Sequence, residues 1–468
     1  MNIARPGVVA LIALVAGCAV GPNYRRPPEP VPEQYRGAAN QVSSQSLADL
    51  GWRQVYPDPE LQGLLAAAFR NNLDLKIAVA RIDEARAALG TARIGQLPQI
   101  DAGGNVTRTK SSLYALPPGT TERTHTTAEV EVTVSYEIDF WGRLRRTSEA
   151  ARADLLASEY GRRAVAVTLV GDVATAYFNL LTLDSQLEIT QRTVTSRAKF
   201  VELTRAQHER GVASGLDVAT AEAQLAAARS NVPDVERQIV QTEDLLSNLL
   251  GENPRAILRP ARGERLPQAP PMPPVGLPST LLDRRPDILE AEQGLVAANA
   301  RVGVAQAALF PRISLTGLAG SLSMPLSKLL TGPAATWSAS AALVQPILDP
   351  LANYYQVELA DARKREALLV YEKAVRTAFQ EVADALIAYQ KNVDFARELA
   401  AQVDALQRAE SIALARYRIG YASYFDVINA DRDLFGAELQ LAQASRNELT
   451  SLVQLYQVLG GGWQNESG

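Results

Sequence analysis

The sequence predicts an α+β membrane protein with an internal two-fold repeat, in which each half carries one β-hairpin and one very long helix. The segments His208–Val218 and Tyr417–Val427 align at an offset of 209 residues. A period this long indicates a duplicated domain-sized unit. Gly142–Arg210 and Leu351–Ile419 are 69 residues each and contain no proline. Two further regions alternate apolar and polar residues, so strands and coiled-coil helices are predicted rather than a globular enzyme.

The predicted elements divide the chain into six consecutive segments. These are a signal peptide (1–17), a lipidated N-terminal tether (18–58), a first repeat (59–252), a Pro-rich linker (253–283), a second repeat (284–460) and a tail (461–468). Each repeat should contain a helix, a hairpin, a long helix and a return helix. The last three are expected at 98–139, 142–210 and 216–250, and again at 311–346, 351–419 and 424–459. The glycine-rich tail is expected to fray.

The N-terminus is typical of a secretory segment that ends at the only cysteine of the chain. Arg5 precedes a nine-residue apolar core, Val8–Ala16, which is too short to span a bilayer as a helix. The sequence Leu14–Cys18 resembles a bacterial lipobox, so Cys18 is expected to become the acylated first residue of the mature chain. A free buried thiol is the alternative. Gly21–Pro32 contains five prolines, which favour an extended tether.

The predicted hairpins each have one apolar face. Ala128–Asp139 alternates apolar residues with acidic or hydroxyl residues, and Pro98–Thr109 is its weaker partner. Pro311–Leu322 and Ala335–Gln345 repeat this design in the second half. Three carboxylates share the polar face and are expected to line a water-filled lumen, namely Glu129, Glu131 and Glu137. A soluble half-buried hairpin would show the same alternation, but strands of about ten residues can also cross a bilayer. Because four strands cannot close a barrel, several chains would be needed.

Both long segments are predicted to be helices of about 100 Å, which is typical of coiled coils. The apolar positions of the second one follow alternating four- and three-residue steps, at Val375, Phe379, Val382, Leu386, Tyr389, Val393 and Ala396. This spacing indicates a left-handed supercoil. Gly211 and Gly420 suit the left-handed conformation that ends a helix. We expect Asp217 and Ser423 to be the N-caps of the return helices, and Pro233 to interrupt the first of them.

Composition and motifs exclude several classes of function. The net charge of −4 and the pI of about 5.6 argue against nucleic-acid binding. No apolar run after the N-terminus approaches 18 residues, so no transmembrane helix is expected. His125 lies in a predicted loop and His208 at a helix tip, without a metal-spaced cluster or a nucleophile motif nearby. We therefore expect no enzyme activity, no catalytic residues, no cofactor and no metal.

Four motifs in a fixed order carry a family resemblance. They are Cys18–Tyr24 (CAVGPNY), Tyr136–Arg143 (YEIDFWGR), Arg284–Ile288 (RRPDI) and Ala307–Arg312 (AALFPR). Together with the paired helix tips, they resemble TolC-like outer-membrane efflux factors. The most similar branch is the lipoprotein branch that serves resistance–nodulation–division (RND) multidrug pumps. The resemblance covers nearly the whole mature chain.

This resemblance implies a homotrimer in the outer membrane of a Gram-negative bacterium. Three chains with four strands each would form one 12-stranded β-barrel, continued by a periplasmic helical barrel of about 100 Å. An equatorial belt would be built from the helix near Glu60–Asn71, the Pro-rich linker and the C-terminal end. The implied partners are a periplasmic adaptor protein, an inner-membrane RND transporter and outer-membrane lipid around the Cys18 acyl chains. Drugs and other small molecules would pass through passively.

Two other functions remain open from the sequence. A type I secretion system uses a similar outer-membrane component, and a trimeric coiled-coil lipoprotein without a channel would share the long helices. A lipoprotein enzyme acting on the cell wall is disfavoured, because the chain carries no catalytic motif. The ten-residue hairpins favour the channel over a fibre.

The resemblance also implies the positions of the periplasmic gate and of the adaptor-docking site. A periplasmic gate is expected at the second return helix, with an apolar ring at Phe425, a polar ring at Asn429 and Asp426 nearby. A hydrogen bond from Tyr417 to Asp217 is expected to hold the gate closed. The adaptor is expected on the two duplicated turns, whose residues are Gly211, Val212, Ala213, Ser214, Gly215, Ile419, Gly420, Tyr421, Ala422 and Ser423.

Overall fold

The computed structural model describes residues 19–37, 46–112, 114, 124–259, 274–345 and 350–463 of the 468-residue chain. The predicted signal peptide, Cys18, the middle of the Pro-rich linker and residues 464–468 lie outside the described residues. The helices are α1 (Trp52–Val55), α2 (Pro59–Asn71), α3 (Leu73–Ile94), α4 (Arg143–Glu209), α5 (Gly215–Leu249), α6 (Pro278–Arg284), α7 (Pro286–Ala307), α8 (Pro350–Arg418) and α9 (Tyr424–Val458). The strands are β1 (Gln99–Lys110), β2 (Thr124–Ile138), β3 (Arg312–Ser323) and β4 (Ala335–Val344).

The chain forms two compact units. The first comprises Met1–Pro28, Arg81–Glu159 and Glu290–Glu372, and therefore contains all four strands. The second comprises Glu29–Ala80, Tyr160–Leu289 and Lys373–Gly468. It contains most of α4 and α8 together with both return helices.

The first unit contains an antiparallel sheet with the strand order β1-β2-β3-β4. The hairpins of the two repeats pair with each other through β2 and β3, where Val132 lies opposite Ala319. The outer strands β1 and β4 pair on one side only, and every residue of β1 is exposed. Within the described part of one chain, the sheet therefore has two free edges. His125, which we expected in a loop, is the second residue of β2.

The strand register separates an apolar face from a polar one. The apolar face carries Ile100, Val106, Val130, Val132, Val134, Leu315, Trp337 and Leu343. The polar face carries Asp101, Asn105, Glu129, Glu131, Thr133, Thr316, Ser338 and Ser340. Large apolar side chains stay in solvent on this chain, since Trp337 is 78% exposed and Ile100 is 69% exposed.

The segment after Cys18, predicted to be an extended tether, is hydrogen-bonded to other parts of the first unit. The Val20 N–H donates to the Trp141 carbonyl at 2.9 Å. The buried guanidinium of Arg146 donates to the Asn23 amide oxygen at 2.8 Å. The Tyr24 hydroxyl donates to Glu292 at 3.0 Å. Extended backbone has no internal hydrogen bonds, so these contacts supply the partners that the segment lacks.

The second unit is a bundle of long helices with a buried seam. On α8, the fully buried positions include Val375, Ala378, Val382, Leu386 and Tyr389. The seam therefore follows most of the predicted positions. Phe379 and Val393 are only half-buried, and the smaller Ala378 is buried beside Phe379. Where two packed helices come close together, a small side chain such as alanine fits at the contact.

The interruption that was predicted in the first return helix is absent. Pro233 lies inside α5, which continues through it for 35 residues. The proline removes one backbone donor, but neighbouring buried positions such as Ala228 and Val235 hold the helix on its packing face. An 18-residue stretch of α4 has the hydropathy of a membrane span, yet 67% of that stretch is buried by other parts of the fold, as expected for a core helix.

Hydrogen bonds join segments of the second unit that are distant in the sequence. The Leu47 N–H donates to the Pro274 carbonyl at 2.7 Å, and the Asn72 side chain donates to the Leu249 carbonyl at 3.0 Å. The start of the tail is packed rather than frayed, because Gly461 is buried and Arg163 lies 4.7 Å over the Trp463 ring. The expectation of a frayed tail was wrong for these residues, since the cation–π contact and burial order them.

Candidate functional site

The two duplicated turns have the same backbone geometry. Gly211 has φ +74° and Gly420 has φ +80°. In the first turn, the Val212 N–H donates to the Gln207 carbonyl at 2.9 Å, and in the second the Tyr421 N–H donates to the Arg416 carbonyl at the same distance. This six-to-one hydrogen bond after a left-handed glycine is a Schellman motif. A Cβ atom at either glycine would meet no atom within 4 Å, so the backbone angle alone requires glycine there.

Each return helix begins with a capping box. The Ser214 hydroxyl accepts a hydrogen bond from the Asp217 N–H at 3.2 Å, and Ser423 does the same for Asp426 at 3.3 Å. The expectation that Asp217 is the N-cap was therefore wrong, because Asp217 is the third helical residue and its carboxylate accepts a hydrogen bond from the Ser214 backbone N–H. The hydroxyl and backbone N–H of Ser423 lower the pKa of Asp426.

The turns present apolar side chains to solvent. Val212 and Tyr421 are each 75% exposed, and Ile419 is 69% exposed. Phe425, in the first turn of α9, is 70% exposed, whereas its neighbours Tyr424 and Val427 are buried. Large contiguous apolar patches on a surface mark interaction sites, whereas single exposed apolar residues are ordinary.

The predicted hydrogen bond from Tyr417 to Asp217 is not present. The Tyr417 hydroxyl donates instead to the Gln207 side-chain oxygen at 2.6 Å. Asp217 is engaged by Ser214 of its own capping box, at 2.8 Å from both the hydroxyl and the backbone N–H. Burial, followed by the nearby Asp217 charge, raises the pKa of Tyr417, so the phenol stays protonated and can donate.

An aromatic cluster joins the two helical hairpins beside this hydrogen bond. The Phe200 ring stacks on Tyr424 with centroids 5.0 Å apart, and it lies 5.7 Å from Tyr417. Val201 and Leu225 are buried against the same cluster. Aromatic pairs at these separations stabilise a contact beyond the area that they bury. The cluster therefore ties α4 and α5 to α8 and α9 just above the turns.

A buried charged group lies next to the aromatic cluster. The guanidinium of Arg197, which is 7% exposed, donates to Asp431 at 2.8 Å and to the Gln224 carbonyl at 2.9 Å. Burial raises the pKa of Asp431 even though Arg197 opposes this shift. Burial, followed by the charge of Asp431, also raises the pKa of Glu410. Asn429 lies on α9, one turn after Phe425, and its side chain is half-buried.

The three predicted lumen carboxylates do not share one environment. Glu129 and Glu131 lie on the polar face of the sheet, and neither forms an ion pair with a cationic side chain among the described residues. Glu137 shares their face but makes a two-pronged ion pair with Arg143, at 3.0 Å and 2.7 Å. The guanidinium at the start of α4 therefore compensates the charge of Glu137, whereas the position of all three carboxylates on the polar face agrees with the predicted strand alternation.

An aromatic group lies where the strands end and the helices begin. The Trp141 ring stacks on Phe310 at a centroid distance of 4.4 Å, and Phe140 lies 4.8 Å from the same tryptophan. The Trp141 indole N–H donates to the Pro311 carbonyl at 2.9 Å. Aromatic girdles with one polar atom are typical of the boundary between apolar and aqueous surroundings.

Two contact residues were missed at the sequence level. Gln207 carries no motif of its own, but it is the fourth residue before Gly211, where a side chain projects toward the neighbouring helix. Phe200 lies at a coiled-coil position and is indistinguishable from other apolar seam residues. Among the described residues, no group of three His, Cys, Asp or Glu side chains is placed to hold a metal ion.

Comparisons with known proteins match nearly the whole chain. The family model described as outer membrane efflux protein matches residues 64–252 and 277–461, one stretch in each half of the duplication. The probable efflux pump outer membrane protein TtgC of Pseudomonas putida is 35% identical over 465 residues, covering 97% of this chain and 95% of TtgC. The probable outer membrane lipoprotein SilC of Salmonella typhimurium is 32% identical over 460 residues, covering 97% and 98%. The solved outer-membrane channel OprN superposes with a TM-score of 0.89 at 30% identity, covering 96% of this chain and 100% of OprN.

Proposed function

The chain belongs to the outer membrane efflux protein family, and from this premise we propose that three copies of it form the exit duct of a tripartite RND-type efflux pump. As a member of this family, the protein is an outer-membrane transport component that works with pump partners and is not an enzyme. In the proposed duct, small molecules move passively from the periplasm to the exterior. A periplasmic adaptor and an inner-membrane RND transporter supply the opening and the energy.

The observation that carries this proposal is the four-stranded sheet with two free edges and one exposed apolar face. In lipid, unpaired backbone donors and acceptors at an edge are prohibitively costly, so such a sheet must close with other copies. Three copies supply 12 strands, which is within the range of known membrane barrels. The apolar face would then contact lipid, while the face with Glu129 and Glu131 would line the lumen.

We propose that Cys18 is lipidated and that its acyl chains start at the level of the aromatic group, where the strands end and the helices begin. Cys18 itself lies outside the described residues, but the Val20 N–H donates a hydrogen bond to the Trp141 carbonyl at 2.9 Å. Trp141 and Phe310 form the aromatic group at the ends of the strands. Acyl chains on the residue just before Ala19 would therefore start beside the apolar face of the sheet, where outer-membrane lipid begins.

We propose that the return helices carry the gate and that the turns carry the adaptor site. In a trimer, Phe425 would supply an apolar ring and Asn429 a polar ring, with Asp426 at the helix start. The aromatic cluster and the Tyr417–Gln207 hydrogen bond would hold the closed arrangement. The exposed apolar residues Val212, Ile419 and Tyr421 suit burial against an adaptor. Two equivalent turns per chain would give six sites in a trimer.

Interchain pairing of β1 with β4 tests the proposed barrel directly. Cysteines introduced on β1 and on β4 should form disulfides that link three chains, detected as a trimer on a non-reducing gel. A matched control pair at Val132 and Ala319, which already face each other within one chain, should link only residues of the same chain.

The purified protein should also give discrete conductance steps in a planar bilayer. A trimer without conductance would favour the coiled-coil lipoprotein instead.

A further inference from the structure

The first unit contains a cavity whose charged lining is entirely cationic. The cavity has a volume of about 520 Å³ and lies among the starts of α4, β3 and α8 and one side of α7. Its charged lining residues are Arg143, Arg301, Arg312 and Arg363. Its floor is apolar and includes Ala298, Val304 and Ala305. Within the described part of the chain, no acidic side chain lines this cavity.

Two of the four guanidinium groups are already compensated, and two are not. Arg143 pairs with Glu137 at 2.7 Å, and Arg301 pairs with Asp154 at 2.5 Å. Arg312 and Arg363 have no carboxylate within ion-pair distance among the described residues, and both are exposed. Guanidinium groups around one cavity repel one another, and an anion bound between them would relieve that repulsion and accept their N–H donors.

The strand register shows on which face of the sheet the cavity lies. Arg312 lies opposite Val344 and shares the face of Glu129 and Glu131, as does the Arg143 partner Glu137. This is the polar face, not the face that carries Trp337 and Leu343. A ligand in the cavity would therefore come from the aqueous side of the sheet rather than from lipid.

We propose that this cavity binds multivalent oxyanions, such as phosphorylated or sulfated solutes, between the strands and the helices. Guanidinium groups recognise phosphate and sulfate oxygens through paired N–H donors, and the nearby Gln356 amide adds a neutral donor. The volume exceeds that of one inorganic phosphate and accommodates a pyrophosphate or a small organic ester. The assignment of the polar face to the lumen rests on the proposed function, whereas binding of the anion does not.

Calorimetric titration of the purified trimer with sodium pyrophosphate tests the site without requiring channel activity. We expect saturable binding with one site per chain and a strong decrease in affinity with added salt. The double variant Arg312→Gln/Arg363→Gln should weaken this binding at least ten-fold. A matched control, Arg93→Gln/Arg108→Gln, removes two exposed guanidinium groups from the same unit and should bind as the unchanged protein does.

Three outcomes would overturn the proposal, and one further variant supports it. Absence of saturable pyrophosphate binding, or equal loss in the control variant, would mean that the cavity is not an anion site. Dissociation of the double variant into monomers, without anion binding by the unchanged protein, would mean that a carboxylate of a second copy fills the cavity. The variant Arg312→Lys/Arg363→Lys keeps the charge and should retain intermediate affinity. Stronger binding to vesicles with phosphorylated lipid than to pyrophosphate would assign the cavity to lipid headgroups and refute a solute site.

Discussion

The hydrogen bond between Tyr417 and Gln207 gives the most direct test of the proposed gate. Replacing Tyr417 by Phe removes the hydroxyl that donates to Gln207 at 2.6 Å but keeps the ring against Phe200. The substitution therefore isolates one polar contact between the two helical hairpins. We expect the variant to raise resting conductance, because the contact is proposed to hold the closed arrangement.

The expected magnitude follows from the number of copies. One hydrogen bond of this kind contributes about 1 kcal/mol. If three copies open together, the closed state loses about 3 kcal/mol, which shifts the equilibrium between closed and open states by roughly 100-fold. Gln207→Leu removes the acceptor and should have the same effect. The double variant should add little, because both substitutions remove the same contact.

Asp217→Ala provides the control for this series. Asp217 was the partner expected from the sequence, but in the structure it belongs to the Ser214 capping box. Its effect should therefore add to that of Tyr417→Phe rather than overlap with it. Conductance in planar bilayers and the sensitivity of cells to vancomycin are the measurements. Unchanged conductance in Tyr417→Phe and Gln207→Leu, at normal trimer levels, would refute a gate at this position. If the effects of Asp217→Ala and Tyr417→Phe on conductance do not add, the hydrogen bond from Tyr417 to Asp217 that the sequence predicted is present instead.

Three further predictions concern the turns, the lipid anchor and the lumen. Replacing both Gly211 and Gly420 by Val should cost about 1–2 kcal/mol per turn and abolish adaptor crosslinking, whereas Asn, which tolerates positive φ, should retain it; wild-type crosslinking in the Val variant would place the adaptor elsewhere. Intact-mass measurement should show loss of the signal peptide and addition of acyl chains at Cys18, and a mature chain with an unmodified thiol there would contradict lipidation. Replacing Glu129 and Glu131 by Gln should reduce the cation preference measured from reversal potentials, and an anion-selective unchanged channel would contradict an acidic lumen.

Local and periodic features of this protein follow from its sequence. The alternation in Ala128–Asp139 specifies which strand face is apolar, because successive strand side chains point to opposite sides. Proline-free segments with three- and four-residue apolar steps specify the long helices and their seam. Gly211 and Gly420 specify the turns, since few other residues adopt positive φ without strain. Each of these features depends on residues that are close together in the chain.

Partner choices between distant residues were decided only by the tertiary structure. The Tyr417 hydroxyl donates to Gln207 rather than to Asp217, and the Val20 N–H donates to the Trp141 carbonyl. In each case several polar groups could satisfy the same donor or acceptor, and differences of a few ångströms in helix and strand placement decide among them. The sequence determines which groups need a partner, because buried polar atoms are costly when unpaired. The packing of the two hairpins and the paired strands determines which partner is within reach.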